Sequence, residues 1–554
     1  MNRTEALRTM TTSRYLLLLA LLILAPLGDA AADVGVQVGA YTRPGNALQD
    51  MEKLRTTGFT NVTTAIKTVN GHPLHTVIVG PFEDRQKAEA ARHRLRAQGW
   101  PGFITSFPDL TAESDGATAS SGGAIGAAPK PPETAPLPTQ HKPDDESRTA
   151  APVQTLSPHA AVDDDRDTAS HPTPAPDSTG KLTGYVSAEL RLFAYDPSSA
   201  GQHGDNLALS MRPEYYRAWN DGGDSVIFTP FIRWDQHDDE RSHADVNELL
   251  WQHVAHDWEA RAGIGKVFWG VTESQHLVDI INQTDLVENI DTEDKLGQPM
   301  INLALIRDWG NLNLFVLPGF RERTFPGPDG RLRTIPYIDM TQARYESGAE
   351  GKHVDVAARW TKILGDWDIG VAHFSGTGRD PLLLPGVDGN GNPVLIPFYE
   401  QIDQTSLDLQ AALDAWLWKL EVISRHGQNG RYTAFTGGLE YTFVGILETA
   451  ADLGIIAEYL YDDRKDSAPT PFEDDVMIGT RLTFNDAQSS ELLIGAVIDA
   501  DGDGVLYNLE ASRRIGDRWK LSAEARIFSN IPLTSVLSGQ RNDDYLQIDL
   551  ARYF

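Results

Sequence analysis

The sequence predicts an all-β transmembrane antiparallel barrel of about 18 strands, preceded by a small α+β domain and a disordered linker. Three observations support the barrel, which we place at residues 182–554. Short segments in which apolar and polar residues alternate are joined by connections that are tight at one end and long at the other. Eleven of the twelve tryptophans lie in this region, and its last segment alternates up to Phe554. Tight turns at one end and longer loops at the other are typical of outer-membrane barrels.

Composition excludes several classes of protein. The chain has 554 residues, no cysteine and a formal net charge of −30. Without cysteine there are no disulfides, thiolate metal sites or cysteine nucleophiles. The strong acidity argues against a nucleic-acid partner, because such partners require basic surfaces. A mean hydropathy of −0.33 argues against a bundle of membrane helices, but not against a barrel, whose strands are only half apolar.

The N-terminus reads as a signal for export. Arginines precede an apolar run at residues 15–27, and small residues follow at 30–32. This pattern predicts a secretory signal peptide over residues 1–32, cleaved before Asp33. An uncleaved anchor helix is disfavoured, because about 20 apolar residues are needed to cross a bilayer.

Residues 34–108 read as strand, helix, strand, strand, helix, strand. Asn70 and Gly71 form a strong hairpin turn signal between the middle two strands. Helical spacing at 46–57 and 84–98 predicts two amphipathic helices. Two helices on one face of a four-stranded sheet would leave the other face open for a ligand.

Two segments of this domain carry a family resemblance. VQVGAYTRPGNA (36–47) and TVIVGPFEDRQKAEAARHRL (76–95) resemble the SPOR (sporulation-related) domain, a periplasmic ferredoxin-like module that binds peptidoglycan glycan strands stripped of their peptides. The resemblance implies that glycan lies across the open sheet face. Strand alternation assigns four peptidoglycan-binding residues to that face: Gln37, Tyr41, Thr76 and Ile78. The alternative is a ferredoxin-like scaffold with a plain polar sheet face.

The sequence departs from the SPOR pattern at one place. The family often carries a Tyr-Arg pair before its Val-x-Val-Gly-Pro-Phe stretch, whereas this chain has His75 and Thr76. The missing guanidinium is expected to change the affinity for glycan more than the fold.

Residues 109–181 form the predicted disordered linker. They hold eleven of the 32 prolines, no aromatic residue and acidic runs at 144–146 and 163–165. Such a segment cannot bury enough apolar area to offset its chain entropy. A Pro-rich recognition motif is the alternative, but no clean PxxP repeat is present. As a flexible coil the linker would span roughly 45 Å.

Alternation within 182–554 divides each strand into an apolar and a charged set. In 416–422, for example, Trp416, Trp418 and Leu420 alternate with Lys419 and Glu421. The charged set predicted to face the lumen is Arg261, Asp355, Arg359, Lys419, Glu421, Arg481, Glu510 and Glu524. Both signs occur, so the set predicts no ion selectivity, and pairing with neighbours is the favoured role for each residue.

Connections set the strand count and the orientation. Tight turns are predicted at 220–223, 256–257, 308–311, 365–366, 414–415 and 516–517. Long loops are predicted at 272–300, 324–352 and 379–400. The long loop 272–300 could fold inward as a constriction or lie outside as a lid. About 18 strands result, with 395–413 ambiguous, and a barrel this wide leaves an aqueous lumen unless a loop plugs it.

Two further features point to the outer membrane. Six tryptophans lie beside or within tight turns, where a periplasmic girdle would place them: Trp219, Trp258, Trp309, Trp367, Trp416 and Trp519. The ending YLQIDLARYF (545–554) resembles the assembly signal of Gram-negative barrels, with Arg552 as a departure. The resemblance implies the barrel assembly machinery as a partner, besides outer-membrane lipid.

One motif resembles a calcium loop. Asp499, Asp501, Asp503 and Gly504, closed by Glu510, match D-x-D-x-D-G-x5-E. The match lies between strands rather than helices, and Glu510 falls in phase with the lumen. A solvated hairpin tip is therefore favoured over calcium held by Asp499, Asp501 and Asp503, and no other cofactor is predicted.

The leading functional hypothesis is a porin-like outer-membrane channel, tethered to the cell wall by a periplasmic peptidoglycan-binding domain. A non-conducting tether with a plugged barrel is the first alternative. An outer-membrane hydrolase is the second, but no nucleophile–base pair or known catalytic motif is visible, so no enzyme is predicted. The sequence leaves a homo-oligomer open.

Overall fold

The computed structural model describes residues 34–41, 51, 53–55, 59, 61–69, 72–82, 87–88, 91–92, 94–95, 103–106, 180–427, 430–500, 502 and 504–554. They fall into two compact units, one holding the N-terminal strands and the other holding everything from residue 180 onward. The predicted signal peptide and residues 109–179 of the predicted linker lie outside the described residues.

The N-terminal unit is an antiparallel sheet with helical segments against it. Its strands are β1 (Val34–Tyr41), β2 (Val62–Val69), β3 (His72–Phe82) and β4 (Phe103–Ser106), in the order β2-β3-β1-β4. Helical residues are described at 51, 53–55, 87–88, 91–92 and 94–95. Val36 and Val79 of the sheet share one buried cluster with Leu54 and Leu95 of the helical segments. Burial of this shared apolar face explains why both helices carry small and aliphatic residues at helical spacing. The predicted α+β architecture is confirmed.

The second unit contains a closed antiparallel barrel of 18 strands, as predicted. The barrel strands are β5 (Lys181–Phe193), β6 (Asp205–Trp219), β7 (Asp224–Asp235), β8 (Ala244–Val254), β9 (Trp258–Gly265), β10 (Gln298–Arg307), β11 (Gly310–Pro318), β13 (Val354–Leu364), β14 (Trp367–Thr377), β17 (Gln401–Leu413), β18 (Trp416–Gly427), β19 (Gly430–Phe443), β20 (Asp452–Asp462), β21 (Asp474–Thr483), β22 (Glu491–Asp499), β23 (Val505–Ile515), β24 (Trp519–Ser529) and β25 (Tyr545–Tyr553). Pairing of β25 with β5 closes the ring.

Closure leaves no barrel strand with an unpaired edge, so every strand is hydrogen-bonded on both sides. This is the condition for placing a sheet in lipid, where no water can satisfy an edge.

A small sheet lies in the connections on the long-loop side. It consists of β12 (Arg344–Tyr345), β16 (Pro393–Tyr399) and β15 (Leu382–Val387), in that order. The ambiguous region 395–413 thus divides into most of β16, which belongs to this sheet, and β17, which belongs to the barrel. Six short 3₁₀ helices are described, at Asn220–Gly222, Met340–Gln342, Glu350–Lys352, Ile446–Glu448, Lys465–Ser467 and Ser538–Gln540.

The barrel is apolar outside and polar inside. On β18, Trp416 and Trp418 are 41% and 44% exposed, whereas Lys419 and Glu421 are 3% and 0% exposed. The same inversion holds on β5, where Val186 and Leu190 are exposed and Glu189 is buried. Apolar groups facing outward are favourable only where the surroundings are themselves apolar, which is the arrangement of a membrane barrel.

The tight turns gather at one rim, which we call the short-turn rim. Trp219 ends β6, and Trp367 and Trp519 begin β14 and β24 at that rim. All three indoles are 39% to 44% exposed. This is the girdle position that the sequence predicted.

The apolar outer surface is not equally tall all round. Four outward residues are paired in register across β14, β17, β18 and β19, and all four are polar: His373, Thr405, Ser424 and Thr433. His373 Nδ1 lies 3.0 Å from Thr405 Oγ1. The apolar band on these strands therefore ends at this row.

Among the described residues, we find no helix with the length and apolar character needed to cross a bilayer.

Candidate functional site

The barrel interior is the larger of the two candidate sites. The eight residues predicted to face the lumen all lie on barrel strands, in phase opposite to the exposed apolar set. Oppositely charged groups lie close to these side chains. Arg359 Nη1 and Nη2 donate to the two carboxylate oxygens of Asp408 at 2.7 and 2.9 Å. Arg379 Nη1 donates to Asp355 Oδ2 at 2.7 Å. The interior wall is thus built from ion pairs rather than from a single sign of charge.

The connection between β9 and β10, residues 266–297, folds into the barrel, and we call it the inner loop. It contains most of the segment 272–300, for which the sequence left a constriction and a lid open. Val278 and Ile281 are 0% exposed. They pack in one apolar cluster with wall residues that include Phe315 of β11 and Phe374 of β14. The inward position, not the lid, is therefore the observed one.

Carboxylates of the opposite wall fix the inner loop. Glu421 Oε1 accepts the backbone N–H of Val271 at 2.7 Å and that of Thr272 at 3.1 Å. Its Oε2 accepts the N–H of Val278 at 3.1 Å. Glu458 of β20 similarly accepts the N–H of Glu273 at 2.8 Å. In each bond, a carboxylate accepts from a backbone N–H of the loop inside the barrel. Hydrogen bonds with such a charged acceptor are stronger than bonds between neutral groups.

The cavities beside the inner loop include one of 440 Å³ and one of 120 Å³. We call them the large and the small cavity. Six residues line both, and we call them the neck: Glu273, His276, Asp291, Glu293, Lys295 and Glu524. His276 Nε2 lies 2.8 Å from Glu293 Oε1, within this group. The inner loop therefore narrows the lumen without filling it.

Basic residues gather on one side of the large cavity. Arg323 and Arg425 share the carboxylate of Asp380, with N–O distances of 2.5 and 3.0 Å. Removal from water opposes ionisation of Asp380, but the two guanidiniums outweigh it and keep the pKa of this carboxyl below its usual range. One carboxylate thus serves two guanidiniums. We call these three residues the basic pole.

Acidic residues gather on another side of the same cavity. Arg526 of β24 lies 2.7 Å from Glu524, 3.2 Å from Asp291 of the inner loop and 3.6 Å from Glu510 of β23. Three carboxylates therefore serve one guanidinium, which reverses the balance at the basic pole. We call this group the acidic pole.

The second candidate site is the sheet of the N-terminal unit. Backbone register pairs Gln37 with Ile78 and Tyr41 with His75, and a bulge lies between Gln37 and Gly39. A bulge interrupts alternation, on which the shared face of Gln37 and Tyr41 depends. Thr76 and Ile78 are 2% and 4% exposed, so both are buried rather than open to solvent. Glycan binding by these four residues stays a prediction.

The proposed calcium loop is only partly described. Asp499 Oδ1 accepts the N–H of Gly502 at 2.8 Å, while Asp501 and Asp503 lie outside the described residues. Glu510 lies on β23 and accepts from Asn508 Nδ2 at 2.7 Å. Within the described part of the chain, no group of three or more His, Asp or Glu residues could hold a metal ion. Calcium binding stays an untested prediction.

Sequence reasoning missed the basic pole. Arg323 and Asp380 lie in connections, where no alternation assigns an inward side. Alternation does place Arg425 on the charged face of its strand with Lys419 and Glu421, but no signal in the sequence links it to the other two residues.

Comparison with known proteins supports the N-terminal assignment. The family model described as "SPOR domain" matches residues 30–106. No curated protein matches the chain significantly.

Solved structures similar to the chain include variants of the Rh. blastica porin. One variant with two substitutions is 12% identical, with a TM-score of 0.34, and the match covers 68% of this chain and 100% of the porin chain. The Rhodopseudomonas blastica porin triple mutant has the same identity, coverage and TM-score. The barrel assignment itself rests on the strand pairing described above. The chain joins a SPOR domain to an 18-stranded closed antiparallel β-barrel.

Proposed function

We propose that this protein is an outer-membrane channel whose periplasmic SPOR domain tethers it to peptidoglycan. In this arrangement the barrel lies in the outer membrane and the short-turn rim faces the periplasm. The apolar exterior contacts lipid, and the chain end at Phe554 is read by the barrel assembly machinery. The role is one of binding and passage, not catalysis.

The observation that best supports a channel is that the inner loop fills the lumen only in part. The inner loop crosses to the wall at Glu421 and Glu458, yet cavities of 440 and 120 Å³ remain and share the six neck residues. Unfilled space of this kind beside the loop favours passage over the fully packed lumen of a pure tether. The charged lining suits small polar solutes, because ions and dipoles keep polar partners throughout their passage.

The tether rests on the SPOR match at residues 30–106. A strand such as β5 that begins at the short-turn rim receives the preceding chain on the periplasmic side. A flexible linker of roughly 45 Å would let a membrane-fixed barrel sample the wall nearby. Fixing the domain near glycan raises its effective concentration there above what free diffusion would give.

Planar-bilayer recording of the refolded full chain tests the channel directly. We expect discrete conductance steps in potassium chloride. Shortening the inner loop by removing residues 285–294 should raise the step size, because this segment lines the neck. An equivalent deletion in the linker, residues 140–149, is the matched control and should leave the steps unchanged. Absence of steps from protein whose barrel is folded would leave only the tether.

A further inference from the structure

The wall of the large cavity carries an apolar patch, which we call the apolar stripe. Met477 of β21 and Leu493 of β22 line the cavity and are 6% and 8% exposed. They form one cluster with Ile456 and Leu460 of β20, which are 0% exposed. They share the inward phase of Glu458, whereas Ile455 and Ile478 on the opposite phase are exposed to the outside. The interior of a wide barrel is ordinarily polar. The inward residues Phe315 and Phe374 pack against the inner loop, whereas Met477 and Leu493 line the large cavity.

Within the stripe, Met477 packs over two glycines. Gly479 and Gly495 are paired in register on β21 and β22. A Cβ at these glycines would lie 2.9 and 3.2 Å from Met477 Cε, so the flexible thioether occupies the space that side chains would fill. Methionine adapts readily to apolar ligands of different shape. Movement of this one side chain would open space over the two glycines for an apolar group.

The two charged poles flank the stripe in the same cavity. The basic pole reaches it from β18 through Arg425, and the acidic pole from β23 and β24 through Glu510 and Arg526. The stripe occupies β20 to β22 between them. Residues of both poles and of the stripe line the large cavity.

We infer that the large cavity binds short extended peptides with apolar side chains. The free α-carboxylate lies at the basic pole, the free α-ammonium at the acidic pole, and the side chains lie on the stripe. This inference rests on the proposed channel function and names its solute class.

The spacing of the poles supports a peptide rather than a single amino acid. Five strand steps separate β18 from β23, which is roughly 24 Å along the wall at about 4.8 Å per step. Side chains pointing into the lumen shorten this separation. An extended peptide of four to six residues spans roughly 14 to 20 Å. The two charges of one amino acid lie too close together to reach both poles.

The charge balance also discriminates among ligand classes. A neutral sugar would use neither pole, and a fatty acid would use the basic pole and the stripe only. The acidic pole, where three carboxylates serve Arg526, gains from an added cation. A zwitterion with an apolar body satisfies all three features at once.

Block of the ionic current by defined peptides tests the inference. The probes are the tetrapeptide Ala-Leu-Leu-Ala, its N-acetylated form, its C-amidated form, and Ser-Asn-Asn-Ser as the polar zwitterion of equal length. We expect Ala-Leu-Leu-Ala to block at a concentration about tenfold below that of the polar peptide, because only it buries apolar area on the stripe. Each end modification should weaken the block about fivefold through loss of one charge pair.

Single variants assign each end to its pole. With Arg425→Gln, C-amidation should no longer matter, while N-acetylation keeps its effect. With Glu510→Gln, the reverse should hold. Arg261→Gln makes the same chemical change on β9, outside both cavities, and should preserve both effects. A heat-dependent shift in gel mobility confirms that each barrel is folded.

The outcomes separate this inference from the channel itself. Normal conductance with equal block by both tetrapeptides, or with no effect of either end modification, overturns the inference and leaves the channel. If the folded protein shows no conductance, the channel fails, and calorimetric titration of the same peptides into the detergent-solubilised chain decides the inference. Binding with the expected order of affinities then supports it, and no binding overturns it.

Discussion

Side chains alternate between two faces in the strands of both the N-terminal domain and the barrel, but apolar residues are buried in the domain and exposed on the barrel. Val77 of the domain is 0% exposed and lies in a core between sheet and helices. Val186 of the barrel is 44% exposed, while Glu189 on the inward face of the same strand pairs with Arg233 and Arg241. Alternation therefore defines two faces of a strand but does not say which face meets water. The elements next in the chain decide this: helices cover a sheet face in the first case, and strands alone close a ring in the second.

Exchanging valine for arginine should show the largest difference between the two regions. In the domain, Val77→Arg places an uncompensated charge in the core and should cost about 3 to 5 kcal/mol, enough to unfold it. In the barrel, Val186→Arg should cost no more than about 1 kcal/mol, because Val186 lies in register with the exposed Arg552 and with Trp519 of the girdle. Protease resistance of each region in full chain reconstituted in lipid measures both effects.

The same pair of variants can break the comparison. In the barrel, Val186→Asn serves as an uncharged control and should also be tolerated. Unfolding of the barrel by either variant would mean that this face is buried against protein, and the inside-out assignment would be wrong.

Replacing Glu421 tests whether polar contacts hold the inner loop inside the barrel. Glu421→Ala leaves the N–H groups of Val271, Thr272 and Val278 without their acceptor, at a cost of about 3 kcal/mol. We expect larger and noisier conductance steps because the loop loosens. Glu491→Ala on β22, which accepts only from Ser512 in the described contacts, is the control and should not change the steps. Unchanged steps in the first variant would show that apolar packing alone holds the loop.

Glycan-binding assays test which face of the domain sheet is open to solvent and glycan. Gln37→Ala and Tyr41→Ala, made separately in the full chain, should each reduce sedimentation with amidase-treated sacculi severalfold. The bulge between Gln37 and Gly39 makes the separate variants informative, since the two residues need not share a face. Loss with Gln37→Ala alone would place the site on the face of Gln37 only. Full sedimentation of both variants would remove the predicted site from this face.

The smallest effect concerns the connection between the regions. Deleting residues 120–175 should leave conductance in bilayers unchanged but reduce co-purification with sacculi from cells, because the tether loses reach. Complete co-purification of the shortened protein would show that reach is not limiting.

Prediction from sequence succeeded where local chemistry dictates structure. The alternation around Lys419 and Glu421, the tight turns and the tryptophans gave the barrel and its strand number, because each depends on neighbours in the chain. The course of the inner loop could not be predicted. It depends on Glu421 and Glu458, more than 140 positions later, accepting bonds from the loop backbone. The basic pole escaped for a similar reason, since Arg323 and Asp380 come together only through folding of two separate connections.

The polar row of His373, Thr405, Ser424 and Thr433 has a consequence for the proposed position of the barrel in lipid. On β14, Trp367, Ile369 and Val371 are the only outward apolar positions on the short-turn side of the row. On β19 five outward positions, from Phe435 to Phe443, precede the short-turn end. A hydrophobic belt of unequal height cannot match a bilayer of uniform thickness on all sides. The barrel axis must lean, or the bilayer must thin beside β14 and β17, at a modest cost per ångström of mismatch.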